Sequence, residues 1–129
     1  MKPSSGITAS ICNLRPESRG YIELQSSDPN IAPKIFANYL TEEKDIKHMI
    51  EGVNKIRKVF NTPTMKNLGA TEIQPGSIYQ TDNEIDEFIR NESLSVYHPI
   101  GTCKMGNGAE CVVDKDLKVK GIRGLRVAD

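Results

Sequence analysis

One amphipathic segment, residues 41–60, constrains the fold of this chain more than any other part of the sequence. Apolar side chains recur in it at steps of three and four residues, which places them on one face of an α-helix. They are Ile46, Met49, Ile50, Val53, Ile56, Val59 and Phe60. Thr41 is the expected N-cap, and Pro63 lies where the helix must already have ended. We therefore predict a helix near residues 41–60 that packs one apolar stripe against a core.

A second, shorter helix is predicted to begin at Thr81. The run Thr81-Asp82-Asn83-Glu84 is a capping box, in which the hydroxyl and the carboxylate each bind a free backbone amide at the other's position. Ile85, Phe88 and Ile89 follow at helical spacing and form its expected buried face. Residues 64–80, between the two helices, contain two glycines and a proline and predict an irregular loop.

Short strands are expected on both sides of the helices. Apolar alternation in residues 6–14 and the run at 21–24 flank a turn-rich segment, which predicts a β-hairpin whose loop is fixed by Arg15 and Arg19. Residues 31–40 are expected to form an extended connector. Four further runs predict strands, at 94–97, 111–113, 117–119 and 125–127. The order of elements favours an α+β fold, with a mainly antiparallel sheet and helices on one face.

Length and charge exclude several classes of protein. The chain has 129 residues, which is one domain or part of one. Seventeen basic residues balance seventeen acidic ones, so no nucleic-acid partner is expected. No apolar run approaches the roughly 18 residues of a transmembrane segment, and no signal peptide is indicated. We expect a cytoplasmic protein, and the sequence does not indicate an oligomeric state.

The three cysteines do not indicate a disulfide framework or a metal site. Cys12, Cys103 and Cys111 are odd in number and lack a CxxC spacing. A zinc site made of His98, Cys103 and Cys111 is an alternative, but it lacks a fourth ligand and the usual spacing. We expect no metal, and we expect Cys12 and Cys111 to be small buried hydrophobic residues.

Two histidines are the candidates for proton transfer. His48 lies inside the predicted long helix, and we assign it no chemistry. His98 begins a glycine-bearing loop after a short apolar run, and Pro99 restricts its backbone to extended geometry. An imidazole can accept a proton near neutral pH, as a general base must. The residues alone leave a structural histidine open as the favoured alternative, because no nucleophile or orienting partner is visible.

The segment around His98 resembles a known family signature. His98-Pro99-Ile100-Gly101-Thr102-Cys103-Lys104-Met105-Gly106 is similar to the carboxy-terminal signature of the glucose-methanol-choline (GMC) family of FAD-dependent alcohol oxidoreductases. Two further segments, at 14–22 and 113–129, agree with that family in order and spacing, as do Asp28-Pro29 and Asn38-Tyr39-Leu40. The resemblance covers nearly the whole chain, and it is strongest to the choline dehydrogenase and alcohol dehydrogenase branch.

The resemblance implies a role for each matching residue. It implies that His98 accepts the hydroxyl proton of a small-molecule alcohol while a hydride passes from the carbinol carbon to FAD. It implies that Ala128 and Asp129 lie beside the FAD. Which alcohol is oxidised, and which electron acceptor reoxidises the flavin, are not indicated. Association with a membrane, through an electron-acceptor chain that reoxidises the flavin, is left open.

Two parts of the family pattern are missing from the sequence. The family's FAD-binding Rossmann unit carries a GxGxxG motif after a strand, and no segment here fits it. The family also carries a second active-site residue, His or Asn, downstream of the position of Asp129. We therefore expect residues 1–129 to be a truncated carboxy-terminal substrate-domain fragment, inactive alone. An inactive α+β binding module derived from such an enzyme is the alternative.

Overall fold

The computed structural model describes residues 6–128, and these form two compact units. The first unit contains residues 6–20 and 37–93, and the second contains residues 21–36 and 94–128. The helices and strands are β1 (Tyr21–Glu23), β2 (Lys34–Phe36), α1 (Glu43–Phe60), α2 (Pro63–Asn67) and α3 (Asp82–Glu92). The predicted α+β class is confirmed. Within residues 6–128, no helix has both the length and the apolar composition needed to cross a membrane.

The core of the first unit lies between α1 and α3, as the two apolar stripes predicted. Ile46 and Val53 of α1 and Ile85 and Ile89 of α3 are buried against one another. Met49, Ile50, Phe88 and other partly buried side chains pack around them. Helix α3 begins with the predicted capping box, in which the Thr81 hydroxyl accepts the Glu84 N–H and the Glu84 carboxylate accepts the Thr81 N–H. Burial of one stripe from each helix holds this unit together.

Helix α1 does not begin with the predicted Thr41 cap. The N-cap position is Glu42, and its side chain makes no capping hydrogen bond. Instead, the backbone N–H groups of Thr41 and Glu42 both donate to the hydroxyl of Ser18, at 3.1 Å. The Ser18 side chain, which is distant in sequence, thus accepts hydrogen bonds from the amides just before the helix. No local capping pattern in the sequence indicates this contact.

A buried carboxylate connects α1 to the segment before β1. Asp45 is 1% exposed and accepts hydrogen bonds from the backbone N–H groups of Glu17 at 2.8 Å and Ser18 at 2.9 Å. The Ser18 hydroxyl and the Asn13 side-chain amide donate to the same carboxylate. Arg19 donates to the carbonyls of Pro16 and Ser18 and so helps to fix this segment, although the segment is not the hairpin loop that was predicted.

The predicted hairpin between residues 6–14 and 21–24 is wrong. Strand β1 instead pairs antiparallel with β2, with Tyr21 opposite Phe36 and Ile22 opposite Ile35. Residues 6–14 form no strand, because Ile11 packs into the helical core beside Gly52 and Asn13 is bound to Asp45. Of the alternating apolar residues, only Ile11 packs against the helices; Ile7 is 74% exposed.

The second unit contains β1, β2 and a set of single-residue bridges in residues 94–128. The bridges are Met105↔Val113, Val113↔Val119 and Lys118↔Arg126. They fall in or beside the strands predicted at 111–113, 117–119 and 125–127, although none extends into a full strand. The strand predicted at 94–97 is wrong, because these residues are exposed and unpaired in the described part of the chain.

Candidate active site

His98 lies in an exposed, irregular segment of the second unit. The backbone at Tyr97 is left-handed, with φ +61°. Pro99 disfavours helical backbone geometry at the residue before it, His98. Gly101 also has a positive φ, +90°, which glycine adopts without a steric penalty. Tyr97 and Ile100 are 88% and 86% exposed, and the imidazole between them is exposed too. His98 is therefore exposed at the surface of its unit.

The loop after His98 is held by backbone hydrogen bonds to residues 112–113. The Lys104 carbonyl accepts the N–H of Val112 at 2.9 Å, and Gly106 donates its N–H to the Val113 carbonyl at 3.0 Å. Val113 is 2% exposed and anchors this contact. At Gly106, φ is +149° and a Cβ atom would lie 2.8 Å from the sulfur of Cys111. A residue without a side chain is required there, because the loop passes directly over the buried thiol.

Two β-bridges connect Val113 to residues 126–128. Val113 bridges to Val119 and Lys118 bridges to Arg126, both antiparallel. The Val127 N–H then donates to the Leu117 carbonyl at 3.1 Å. These bonds align the final segment with the turn at residues 114–117.

Ionised carboxylates fix the turns of this region. Asp114 accepts the backbone N–H of Lys118 and that of Asp116 at the same oxygen, at 3.0 and 2.9 Å. The hydrogen bond from Lys118 is the main reason that the pKa of Asp114 lies below its ordinary value. The pKa of Glu110 is lowered as well, first by its own backbone N–H and then by Lys104, whose ammonium lies 3.0 Å from the carboxylate. Both carboxylates are therefore charged at neutral pH and act as turn-forming acceptors.

The loop after His98 and the segment before Ala128 line one pocket of about 270 Å³. Its lining residues are Gly101, Cys103, Lys104, Met105, Val113, Leu117 and Val127. Gly101 follows His98 by three residues and Val127 directly precedes Ala128, so the pocket joins the two segments that were predicted to be functional. Ala128 is exposed, and Asp129 lies outside the described residues.

The remaining candidates are the three cysteines and His48. In residues 6–128 no group of three His, Cys, Asp or Glu side chains comes close enough to hold a metal ion, so the alternative zinc site is wrong. All three cysteines are free; Cys111 is buried as predicted, but Cys12 is exposed, contrary to the prediction. His48 is exposed on α1, which agrees with the surface position expected for it.

Sequence reasoning missed two contributors to this arrangement. Met105 and Leu117 line the pocket. Met105 belongs to the segment that resembles the family signature and Leu117 to the strand predicted at 117–119, but neither pattern indicates that the two residues line one pocket. Leu117 has a left-handed backbone, φ +62°, at the tip of its turn. The Asp114-Lys115-Asp116 break did indicate a turn there, but not that the residue after it would face the loop of His98.

A family model for GMC oxidoreductases matches residues 16–129 of this chain. Two curated relatives align over 96% of the chain: an "Alcohol dehydrogenase [acceptor]" of Pseudomonas putida at 44% identity, and an "Oxygen-dependent choline dehydrogenase" of Cronobacter sakazakii at 39% identity. In both cases the chain spans 22% of the length of the relative.

Solved structures of similar fold agree with this result. A fungal aryl-alcohol oxidase superposes with a TM-score of 0.78 at 38% identity, over 90% of this chain and 19% of its own. An FAD-dependent oxidoreductase from Chaetomium thermophilum superposes with a TM-score of 0.79 at 35% identity, over 88% of this chain and 20% of its own. A pyridoxine 4-oxidase from Mesorbium loti reaches a TM-score of 0.78 at 28% identity, over 88% of this chain and 22% of its own.

Proposed function

Because the chain belongs to the GMC oxidoreductase family, we propose that it is the carboxy-terminal, substrate-domain part of an FAD-dependent enzyme that oxidises the CH–OH group of a small-molecule alcohol. One observation carries this proposal. The loop that follows His98 and the segment that leads to Ala128 line the same pocket, through Gly101 and Val127. His98 and Ala128 do not line this pocket themselves, but each lies within three residues of a residue that does, which supports one site built from both segments.

His98 is the proton acceptor in this proposal. Its imidazole is exposed, as are the side chains of its neighbours in sequence, Tyr97 and Ile100. An alcohol whose hydroxyl lies within hydrogen-bond reach of the imidazole can transfer its proton there as the carbinol carbon is oxidised. Alcohol and choline oxidation by the relatives makes a primary alcohol the substrate class to test first.

FAD is the cofactor of the proposed enzyme, and the described residues fit it. When bound, the flavin would supply the oxidation step by accepting the hydride from the alcohol. Ala128 is exposed and carries only a methyl group, so a flat ring system can approach its backbone closely. Ala128 and Asp129 are accordingly the proposed cofactor-contacting residues of this chain. We further propose that the enzyme is cytoplasmic, and that residues 1–129 alone neither bind FAD nor oxidise alcohols.

The test replaces each histidine of the chain in the full-length protein that contains it. His98→Ala and the control His48→Ala are compared, with flavin content measured by absorbance and with oxidation of choline and a short primary alcohol measured against an artificial acceptor. Removal of a general base costs about 10²- to 10⁴-fold in rate, so His98→Ala should fall by that factor at full flavin loading. His48→Ala should stay within twofold of wild type, because His48 is exposed on α1.

Two results would overturn the proposal. In the first, the full-length protein binds no FAD and oxidises neither alcohol. In the second, His98→Ala carries a full complement of flavin and keeps its rate within a fewfold of wild type.

A further inference from the structure

The buried sulfur of Cys111 lies directly beneath the loop that follows His98. Cys111 is 6% exposed and is covered by residues of this chain, so further parts of an enzyme can only add to its burial. A Cβ atom built on Gly106 would lie 2.8 Å from that sulfur and 3.8 Å from the Cβ atom of Cys111. The second separation is an ordinary van der Waals contact and the first is far too short. The sulfur atom therefore sets how closely the loop can approach.

Backbone hydrogen bonds hold the loop in place around this contact. The Gly106 N–H donates to the Val113 carbonyl at 3.0 Å, and the Val113 N–H donates to the Lys104 carbonyl at 3.3 Å. Met105 forms a parallel bridge with Val113. Lys104, Met105 and Val113 all line the pocket of the candidate active site. A shift of the loop away from the buried thiol would therefore move one wall of that pocket.

This geometry depends on the size of the side chain at residue 111 more than on its thiol chemistry. The sulfur makes a weak hydrogen bond to the Glu110 carboxylate at 3.7 Å, and that carboxylate is already paired with the Lys104 ammonium at 3.0 Å. Alanine at residue 111 would remove the sulfur, keep the Cβ atom and leave this ion pair intact. A larger side chain would press against the loop from below.

We propose that Cys111 is a positioning residue, whose small buried side chain supports the loop that begins at His98 and sets where that loop lies. This inference rests on the proposed role of His98. Residues 106 and 111 share one space, so enlarging either side chain displaces the loop, and removing the sulfur compensates for a methyl group added at Gly106. A misplacement of about 1 Å can cost about 10²-fold in rate, and relief of the contact at Gly106 requires a shift of about half that size.

The test is a double-mutant cycle in the full-length protein, with kcat measured at full flavin loading. Gly106→Ala should lower kcat about tenfold, because the loop must rise over the sulfur. Cys111→Ala should stay within about twofold of wild type. In the Cys111→Ala background, Gly106→Ala should cost less than about threefold, since only the strain of its backbone, at φ +149°, then remains. Rescue of activity by removal of a thiol is not expected from a general loss of stability.

Gly121→Ala is the matched control for backbone strain. Gly121 has φ +80°, and in the described part of the chain no atom beyond its neighbours in sequence lies within 4 Å of the position of an added Cβ. Gly121→Ala therefore carries the strain of a positive φ without the contact to Cys111. Its effect on kcat should be the same in the wild-type and Cys111→Ala backgrounds.

Labelling of the thiol tests the contact without reference to activity. Iodoacetamide is applied to the native full-length protein, and the modified peptides are identified by mass spectrometry, with denatured protein as the reference for complete labelling. Cys111 should be protected in the wild type and should react at least about tenfold faster in Gly106→Ala, because the displaced loop no longer covers it.

A second variant decides the question if Gly106→Ala does not fold. Cys111→Val enlarges the other member of the pair and should lower kcat about fivefold or more at full flavin loading, whereas Cys111→Ala should not. The inference is overturned if Cys111→Ala alone lowers kcat as much as Cys111→Val, or if it does not relieve the loss in Gly106→Ala. If His98→Ala keeps nearly full activity, the proposed function fails, and the labelling of Cys111 still tests its contact with the loop.

Discussion

Asp45 offers the sharpest test of how the first unit is held together. Its carboxylate is buried, and burial by itself would raise the pKa. Hydrogen bonds to Asp45 outweigh that effect, from the Ser18 hydroxyl and from the backbone N–H groups of Glu17 and Ser18, and the pKa falls from the ordinary 3.8 to about 2. The perturbation is Asp45→Asn, which keeps the shape of the side chain but replaces an acceptor oxygen by an NH₂ group that cannot accept.

The size of the effect follows from the lowered pKa. Each pKa unit corresponds to about 1.4 kcal/mol, so the charged form of Asp45 stabilises the folded unit by about 2 kcal/mol. The folded pKa lies below the unfolded one, so this stabilisation is fully present above about pH 4 and is lost as the pH falls from about 4 towards about 2. Asp45→Asn carries no charge at residue 45 at any pH. Its stability should therefore not depend on the ionisation of that residue between about pH 4 and pH 2.

Hydrogen exchange in the full-length protein is the appropriate assay, because a protein of several units need not unfold in one step. At neutral pH the amides of Glu17 and Ser18 should exchange about 30-fold faster in Asp45→Asn than in wild type, the factor that corresponds to about 2 kcal/mol. At pH 2.5 the difference should shrink. The control is Glu43→Gln, which removes an exposed carboxylate from the same helix and should leave these amides unchanged.

Unchanged exchange of residues 13–20 in Asp45→Asn would refute this reasoning. Equal acceleration in Glu43→Gln would refute it too, because the effect would then follow from net charge and not from the buried hydrogen bonds of Asp45.

Two further predictions concern the helices of the first unit. Thr81→Ala removes the capping hydroxyl and should destabilise the start of α3 by about 1 kcal/mol, seen as faster exchange of the Glu84 amide, whereas Thr81→Ser should keep most of the protection. Alanine in place of glycine inside a helix increases the stability of the helix by up to about 1 kcal/mol. In Gly52→Ala this gain is opposed, because the new Cβ atom would lie 2.6 Å from the Ile11 side chain. The same change should stabilise α1 in an Ile11→Ala background; equal effects in both backgrounds would contradict the packing described.

Helical periodicity was sufficient to predict the core of the first unit. The stripe from Ile46 to Val53 and the capping box at Thr81 are local patterns, and local patterns determine where a helix lies and which face it buries. The start of α1 was misplaced because the hydroxyl of Ser18, and not the side chain of Thr41, accepts hydrogen bonds from backbone N–H groups at that end. Contacts between residues distant in sequence leave no periodic signal.

Strand prediction failed for the same physical reason. The run Tyr21–Glu23 was correctly predicted to be extended, but its partner is Lys34–Phe36, and the competing segment is held on the helices by Ile11 and Asn13. Residues 94–97 alternate in polarity yet find no strand to pair with in residues 6–128, and the left-handed backbone of Tyr97 ends any extended run. Apolar alternation is a local pattern, and in residues 6–14 and 94–97 it identified neither a paired strand nor a buried face.

The sequence led to His98 through its resemblance to a family signature and not through its own environment. The bridges from Met105 to Arg126 determine where the exposed loop of His98 lies. They also form the pocket that Gly101 and Val127 both line. Those bridges were predicted only as separate short strands. Their order in space, which brings the loop after His98 and the segment before Ala128 to one pocket, emerged from the structure.

The rate of flavin reduction under anaerobic conditions tests the role of His98 most directly, because it isolates alcohol oxidation from reoxidation by the acceptor. The account predicts that full-length His98→Ala, at full flavin loading and saturating alcohol, reduces its flavin about 10²- to 10⁴-fold more slowly than wild type at neutral pH. It also predicts that the deficit narrows as the pH rises, since hydroxide can then take the proton. A reduction rate equal to that of wild type across the pH range would contradict the claim that His98 accepts the proton of the substrate.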